Sequence, residues 1–191
     1  MMSLILVPRP LQHLNPKPLA MLTFLMERAW EGNLKYVVGG ATALQLHGVI
    51  DRTTEDVDFY IPPRMTFKFV YMLFPHLNKF RAEKMIFPGL EDRWTNPRSV
   101  ERATKMSVFY CHNFKLPTNV KADISESPGL LEGDNNFVVN LEEGLQVASV
   151  PVLAVFKLCA ICHGSRNGQA GHLTKDVNDL FDCLKYLTRH R

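Results

Sequence analysis

The sequence predicts an α+β (mixed α/β) domain in which a small mixed sheet is flanked by helices and followed by C-terminal helices. Its 191 residues suffice for a single domain with one ordinary core. The composition, 46% hydrophobic and 21% charged, is typical of a folded globular protein. Helical and strand-like patterns follow each other as helix, strand, short helix, strand, helix, two strands and two helices. We place the sheet core at about residues 35–125 and the C-terminal helical part at about 149–191.

The N-terminal elements alternate between helix and strand. Residues 15–32 begin with an asparagine and two prolines and repeat apolar residues at intervals of three and four, which predicts a capped amphipathic helix. Residues 34–40, "LKYVVGG", predict a short buried strand, and residues 41–48 predict about two turns of helix closed by a glycine. Residues 56–61, "DVDFYI", alternate polar and apolar side chains and predict a second strand.

The middle of the chain contains one more helix, a polar segment and two strands. Residues 66–80 predict a helix that Pro75 must end or kink. Residues 88–104 are polar and contain several Pro and Gly, which predicts a long loop or insertion. Residues 105–114 and 118–125 have strand patterns, and we expect them to pair as a hairpin.

Two helices are predicted at the C-terminal end. The first begins after Ser149 as N-cap, ends at Gly164 and is apolar enough to predict a buried helix. The second is predicted to begin at Thr174 as N-cap and to run to the terminus. Cys159 and Cys162 have the spacing of a zinc pair, but no second pair follows, so we interpret them as core cysteines.

Charge and cysteine content limit the class of protein and its location. The net charge of +3 allows a phosphate-bearing ligand but is below what a dedicated nucleic-acid binder requires. No segment is long and apolar enough to span a bilayer, and the N-terminal apolar run lacks the features of a signal peptide. The four cysteines are too sparse for a secreted disulfide scaffold. We therefore expect a cytoplasmic or nuclear protein that is neither secreted nor bound to a membrane.

Acidic residues stand inside two of the predicted strands, where Asp is disfavoured. Alternation places Asp56 and Asp58 on one face of their strand, and Asp123 lies within the later strand pattern. Three such carboxylates could converge on a pair of metal ions, as in phosphoryl and nucleotidyl transfer. The preceding glycines, Gly39 and Gly40, could offer backbone N–H groups to a phosphate. The alternative is a solvated edge strand whose acids simply face water.

The glycine pair, the Asp-x-Asp pair and the later single Asp together resemble the nucleotidyltransferase superfamily, which includes DNA polymerase β, aminoglycoside nucleotidyltransferases and tRNA nucleotidyltransferases. The string "VVGGATALQLHG" followed by "RTTEDVDF" is most similar to a minimal branch that includes the AbiEii-type toxins. Positions that match this branch are Gly39, Gly40, Ala41, His47, Gly48, Arg52, Thr54, Asp56 and Asp58.

This resemblance implies a polymerase β-like fold and a transferase that moves a nucleoside monophosphate from an NTP to an acceptor with release of pyrophosphate. It implies Mg²⁺ (or Mn²⁺) bound by Asp56, Asp58 and Asp123, which are also the catalytic residues. It further implies that Lys157, Arg166 and Lys175 contact the triphosphate, while Asp176 and Asp179 at the head of the last helix hold them in place. The acceptor could be RNA, a protein or a small molecule.

Some features depart from this pattern or admit other interpretations. The larger superfamily usually has Ser where this chain has Gly40, so backbone N–H groups would have to serve the phosphate. Arg52 could neutralise the acids or touch phosphate, and His47 could be a structural contact or a catalytic group. Basic residues between 64 and 105 could form an RNA surface or a solvated face. The alternative function is a noncatalytic nucleotide- or partner-binding module on the same fold, and the oligomeric state is open.

Overall fold

The structure is a computed structural model. It describes residues 14–65, 68–69, 72–73, 84–86, 111–115, 120–126, 136–141, 144–162 and 170–190. The insertion predicted at 88–104, the kink at Pro75 and the position of Arg166 lie outside the described residues.

Four helices have described bounds: α1 (Pro16–Glu31), α2 (Gly40–Leu46), α3 (Val150–Cys162) and α4 (Ala170–Arg189). Within the predicted 66–80 helix, the described residues at 68–69 and 72–73 are helical. In the described part of the chain, no helix combines the length and the apolar character needed to cross a membrane.

The described strands form one mixed sheet. They are β1 (Val37–Val38), β2 (Asp56–Ile61), β3 (Lys84–Ile86), β4 (Cys111–Lys115), β5 (Lys121–Glu126), β6 (Val138–Asn140) and β7 (Gln146–Ala148). Their order across the sheet is β3-β4-β5-β2-β1-β7-β6. The pairs β2/β5 and β1/β7 are parallel and the other neighbours are antiparallel. The α+β prediction is therefore confirmed, and β4 and β5 form the antiparallel pair expected of a hairpin.

Strand β2 runs through the middle of the sheet and has one apolar and one polar face. Val57, Phe59 and Ile61 are fully buried. The Phe59 ring stacks on Tyr36 at 4.9 Å and on Phe69 at 5.5 Å between ring centroids. Burying a side chain of this size contributes about 2 to 3 kcal/mol, so the apolar face fixes the register of the strand. The alternate residues must consequently face the other side of the sheet.

Three strands of the sheet were not predicted from the sequence. Strands β3, β6 and β7 are three residues each. A segment this short contains too few residues to show alternation, and the β6 and β7 pairing depends on partners elsewhere in the chain. The predicted strand at 34–40 is also shorter in the structure, where β1 covers only Val37–Val38.

The prediction that α3 is a buried helix was wrong. Val155 is 55% exposed, Leu158 is 49% exposed, and the supposed core residues Cys159 and Cys162 lie at the surface. The helix is apolar on all sides, so its sequence has no stripe that distinguishes the buried face from the exposed one. Of the three cysteines whose side chains the structure describes, Cys183 on α4 is buried.

The predicted start of the last helix was also wrong. Helix α4 begins at Ala170, and the Thr174 hydroxyl donates a hydrogen bond of 3.0 Å to the Ala170 carbonyl one turn earlier. A Thr inside a helix can bond backward in this way, so its capping preference did not mark the boundary. Asp176 and Asp179 therefore lie in the interior of α4 rather than in its first turn.

Candidate active site

The structure brings the three predicted acids together on one face of two adjacent strands. Strands β2 and β5 are parallel, and Asp58 is the direct neighbour of Asp123 in their register. Two residues earlier on the same face, Asp56 is the neighbour of Lys121. Neighbouring strands lie about 4.8 Å apart, so these side chains share a small area of the sheet. Asp56 and Asp58 are half-buried there.

Gly40 lies directly against the Asp58 carboxylate at the start of α2. Its φ is +56°, in the left-handed region that favours glycine. A Cβ atom built on Gly40 would collide with Asp58 Oδ2. The Ser of the larger superfamily has no room here, which explains the departure found in the sequence. Gly40 is required by the position of the acid beside it.

We expect Gly40→Ala to destabilise the protein much more than Gly48→Ala. Gly48 also has a positive φ, +68°, but nothing lies within 4 Å of the added Cβ atom. Ala at Gly48 should therefore cost only the conformational strain, about 1 to 2 kcal/mol. At Gly40 the collision with Asp58 should add about 1 to 3 kcal/mol. Urea unfolding of both variants measures the difference, and equal losses of stability would contradict the close packing described here.

The Gly39 amide makes a hydrogen bond within the sheet. Its N–H donates a 2.9 Å hydrogen bond to the Asp58 carbonyl, as part of the pairing between β1 and β2. A Cβ on Gly39 would collide with the Tyr60 ring. The amide that was expected to meet a phosphate is thus used within the sheet, and the missing side chain makes room for Tyr60.

Two buried threonines hold Asp56 in place. Thr54 donates a 2.7 Å hydrogen bond to Asp56 Oδ1, and Thr42 donates one of 2.8 Å to the Asp56 carbonyl. Both side chains are buried. The carboxylate is therefore oriented before any ligand arrives, which is how metal-binding acids are commonly supported. Thr54 belongs to the matched string, but the sequence alone indicated no role for it.

The carboxyl of Asp58 has a raised pKa. Burial, together with the charges of Asp56 and Asp123, raises the pKa of its carboxyl from 3.8 to about 7, although the charges of Lys157 and Lys121 oppose the shift. Burial disfavours the ionised form because water no longer solvates it, and like charges add to the penalty. A divalent cation would relieve both effects.

Two basic and two acidic side chains form a largely buried ion network close to the row of acids. Asp179 on α4 accepts hydrogen bonds from Arg52 Nε at 3.0 Å and from Arg52 Nη2 at 2.7 Å. The Lys157 ammonium on α3 lies 2.8 Å from Asp179 Oδ2 and 2.8 Å from Asp176 Oδ1. The side chains of Asp176 and Asp179 are 6% and 1% exposed. The network joins α3, α4 and the loop before β2.

The hydrogen bonds of this network favour the charged forms of Lys157 and Asp179. Burial alone would lower the pKa of Lys157, but its hydrogen bonds to Asp176 and Asp179 outweigh burial and raise it. Burial likewise opposes the shift at Asp179, where the bonds from Arg52 and Lys157 lower the pKa. Lys157 is therefore a permanent cation near Asp58.

The residues predicted to contact the triphosphate differ in their ion-pair partners and in their exposure. Lys157 is held by the two aspartates that the resemblance indicated. Arg52 pairs with Asp179 instead of with Asp56 or Asp58. Lys175 is exposed on α4 and makes no ion pair with another described residue. In α4 successive residues point about 100° apart, so Lys175 and Asp176 face different sides.

His47 is a structural contact. Its Nε2 lies 2.9 Å from the Ala148 carbonyl, which joins the end of α2 to β7. Burial lowers the pKa of its imidazole, and the bond to Ala148 opposes that effect. A neutral ring that donates this hydrogen bond fits the geometry, so of the two interpretations the structure supports the structural one.

The three acids offer the kind of ligand atom that a hard divalent cation prefers. Carboxylate oxygens suit Mg²⁺ or Mn²⁺, which one or two acids and a phosphate ligand can hold. The half-buried carboxylate of Asp58, which the charges of Asp56 and Asp123 repel, would be stabilised by such a cation. Among the described residues, however, no three acidic, His or Cys side chains converge closely enough to enclose an ion. The Asp123 carboxylate is instead 2.6 Å from the ammonium of Lys121, a residue that the sequence analysis did not consider.

A cleft opens beside Asp56. It has a volume of about 830 Å³ and lies between residues 15–18 at the N-terminal end of α1, residues 53–56 and residues 120–121. This volume is in the range of ligand sites. Asp56 and Lys121 form part of its wall. A molecule in the cleft would therefore reach the row of acids from the N-terminal end of β2, whereas Tyr60 lies near the C-terminal end of that strand.

The family model described as "Nucleotidyl transferase AbiEii toxin, Type IV TA system" matches residues 24–191. The chain belongs to the AbiEii nucleotidyltransferase family. Its members are nucleotidyl transferases by this description, so this AbiEii-family protein is an enzyme of nucleotidyl transfer. Comparison with curated protein sequences gave no match.

Solved structures are similar to this AbiEii-family fold at low sequence identity. ANT(2'')-Ia in complex with adenylyl-2''-tobramycin has a TM-score of 0.55 and 10% identity, and the match covers 88% of each chain. A Thermotoga maritima protein described as a nucleotidyltransferase has a TM-score of 0.50 and 17% identity, covering 87% of this chain and 96% of that one. At such identities these likenesses show the fold alone.

Proposed function

We propose that the protein is a metal-dependent nucleotidyltransferase that transfers an NMP group from an NTP to an acceptor and releases pyrophosphate. The observation that supports this best is the row of Asp56, Asp58 and Asp123 on one face of β2 and β5, with Gly40 against Asp58. Membership of the AbiEii family supports nucleotidyl transfer, and the three carboxylates support metal dependence.

The residues that would hold Mg²⁺ or Mn²⁺ are Asp56, Asp58 and Asp123. A bound divalent cation would polarise the transferred phosphoryl group and favour ionisation of the acceptor hydroxyl. The short Asp side chains stand on rigid strands, and Thr54 orients one of them, so the metal-binding groups are placed with little freedom.

Lys157 is the best-supported contact for the triphosphate. Its ammonium has three N–H donors, of which Asp176 and Asp179 take two, so one can reach a phosphate oxygen. The two aspartates keep the ammonium charged and fixed, which favours electrostatic stabilisation of the leaving pyrophosphate. We assign Arg166 and Lys175 to the same role on the resemblance alone. At Gly40, the missing side chain would allow the triphosphate to approach the backbone closely.

We assign the cleft beside Asp56 to the acceptor. An acceptor hydroxyl placed there could attack the α-phosphorus of the NTP while the bond to the pyrophosphate oxygen breaks. The hydroxyl proton would pass to the carboxylate of Asp123, and the charge that develops on pyrophosphate would face Lys157. RNA, a protein side chain or a small molecule could each supply this hydroxyl, and we expect the reaction to take place in the cytoplasm.

Incubation with α-³²P-labelled NTPs, one at a time, together with Mg²⁺ and a cell extract, tests the proposal. We expect label on one class of acceptor with one preferred NTP. Asp56→Asn should lose at least about 99% of the transfer, since it removes a metal ligand that stabilises developing charge. The class of molecule that carries the label identifies the acceptor.

A matched variant and a second label make this test selective. Asp182→Asn also removes one carboxylate, but from an exposed pair with Lys185, and should retain wild-type transfer. With γ-³²P-NTP the label should appear in pyrophosphate and not on the acceptor. Transfer of the γ-label, or undiminished transfer by Asp56→Asn, would contradict the proposed reaction.

A further inference from the structure

Lys121 is a positive charge built into the row of acids. Its Nζ lies 2.6 Å from Asp123 Oδ2 on the same strand, and alternation puts both side chains on the face that carries Asp56 and Asp58. Across the parallel pairing, Lys121 is also the direct neighbour of Asp56. The ammonium is therefore placed where a cation is attracted by more than one carboxylate.

The ion pair between Lys121 and Asp123 affects how the three acids could bind a metal ion. Asp58 and Asp123 are neighbours in register, yet among the residues described no three ligand side chains enclose a common ion position. The ammonium of Lys121 already neutralises one Asp123 oxygen. An ion that used all three acids would have to compete with this internal pair, because one carboxylate oxygen cannot serve both cations at full strength.

Lys121 can move away from this ion pair more easily than Asp123 can. Asp123 is short and 16% exposed on the central part of the sheet, whereas Lys121 is 46% exposed and extends along the wall of the cleft. A lysine is a point charge on a flexible stem, so it can leave one acceptor for another at small cost. A pair this exposed is also weak enough to be displaced.

We propose that Lys121 is an internal counter-cation that occupies Asp123 when no metal is bound and competes with the divalent ion for this carboxylate. The idea rests on the proposed function, since it takes the three acids as the metal ligands. Its consequence is that metal binds the nucleotide-free protein weakly. Metal that arrives with the NTP displaces Lys121, whose ammonium then faces the cleft.

Mn²⁺ binding to the full-length protein without nucleotide, followed by electron paramagnetic resonance of the free ion, tests this role. Lys121→Met keeps the length and apolar stem of the side chain, and we expect it to bind Mn²⁺ on the order of tenfold more tightly than the wild type. Lys121→Arg keeps the charge and should bind no more tightly than the wild type.

Lys17→Met is the matched control, because Lys17 lies in the same cleft but on α1. It should change Mn²⁺ affinity by less than about twofold, which separates the contact with Asp123 from a general effect of charge. Equal or weaker binding by Lys121→Met, or an equal gain in Lys17→Met, would overturn the role of Lys121. Absence of Mn²⁺ binding in every variant would overturn it together with the metal site. Tighter binding by Lys121→Met in a protein that transfers no nucleotide would support it and reject the proposed reaction.

Discussion

Asp179→Asn is expected to lower the free energy of unfolding by about 3 kcal/mol, because it leaves two cations beside a neutral amide. Asp179 is 1% exposed and pairs with both Arg52 and Lys157. Removing one partner of a buried ion pair is far more costly than replacing the whole pair, since the remaining charge stays desolvated. Arg52 is 34% exposed, so water can compensate part of its loss, and we take the lower end of the usual range.

Chemical denaturation of Asp179→Asn and Asp182→Asn measures this effect on one helix. Asp182 forms a surface pair with Lys185 at 2.9 Å, and its loss should change stability by less than about 0.5 kcal/mol. Similar losses for the two variants would mean that burial of Asp179 contributes little. Transfer by Asp179→Asn should also fall, because Lys157 loses one of the two groups that hold its ammonium.

The central part of the fold could be predicted from the sequence because its signals are local. Strand β2 shows strict alternation over residues 56–61, so both its existence and the common face of its acids follow from the period of two. Helix α1 has proline near its start and a glycine at its end, and its bounds are within one residue of the prediction. Asp123 was found for the same reason as Asp56 and Asp58.

The elements that the sequence analysis missed depend on contacts distant in the chain. Strand β7 pairs with β1 through Val38 and Val147, which are far apart in sequence. The exposed side of α3 depends on where α2 and α4 pack, and an evenly apolar helix does not indicate this. Arg52 was expected near the acids, but only the folded structure shows the buried Asp179 that binds it.

The pairing of Lys121 with Asp123 could have been predicted. The two residues are two apart in a predicted strand, and alternation alone places them side by side. Asp123 was predicted to be a metal ligand and a catalytic residue, but no cation was predicted to balance its charge in the free protein. For an acid inside a strand, the residues two positions before and after it lie on the same face and are therefore its nearest candidate counter-ions along that strand.

Asp58→Asn should reduce nucleotidyl transfer to below about a thousandth of the wild-type rate. It replaces the central carboxylate of the row by a neutral group of the same size, so a metal ligand is lost without a change in volume. Loss of several kcal/mol of charge stabilisation at the transferred group corresponds to this factor. Initial rates with α-³²P-NTP and the acceptor found for the wild type measure the loss, and a rate within tenfold of the wild type would contradict the assignment.

The same substitution should stabilise the metal-free protein at high pH. Burial and the neighbouring acids raise the pKa of Asp58 from 3.8 to about 7 in the folded state. The folded protein therefore holds this proton more tightly than the unfolded chain does. Its stabilising contribution is complete below about pH 4 and is lost as the pH rises through 7. Asn does not titrate, so Asp58→Asn should exceed the wild type by on the order of 3 kcal/mol at pH 8 and by little at pH 4.

Urea unfolding in EDTA at pH 4 and pH 8 measures this difference, with Asp51→Asn as an exposed carboxylate control that should show no such gain. In separate samples without EDTA at pH 8, Mn²⁺ at a concentration well above its weak dissociation constant should stabilise the wild type and leave Asp58→Asn unchanged, because only the wild type retains the ligand. A residue kept only for the fold would lose stability when replaced. Greater stability with lost transfer therefore identifies Asp58 as a group retained for the reaction at the expense of the fold, and a loss of stability at pH 8 would contradict that conclusion.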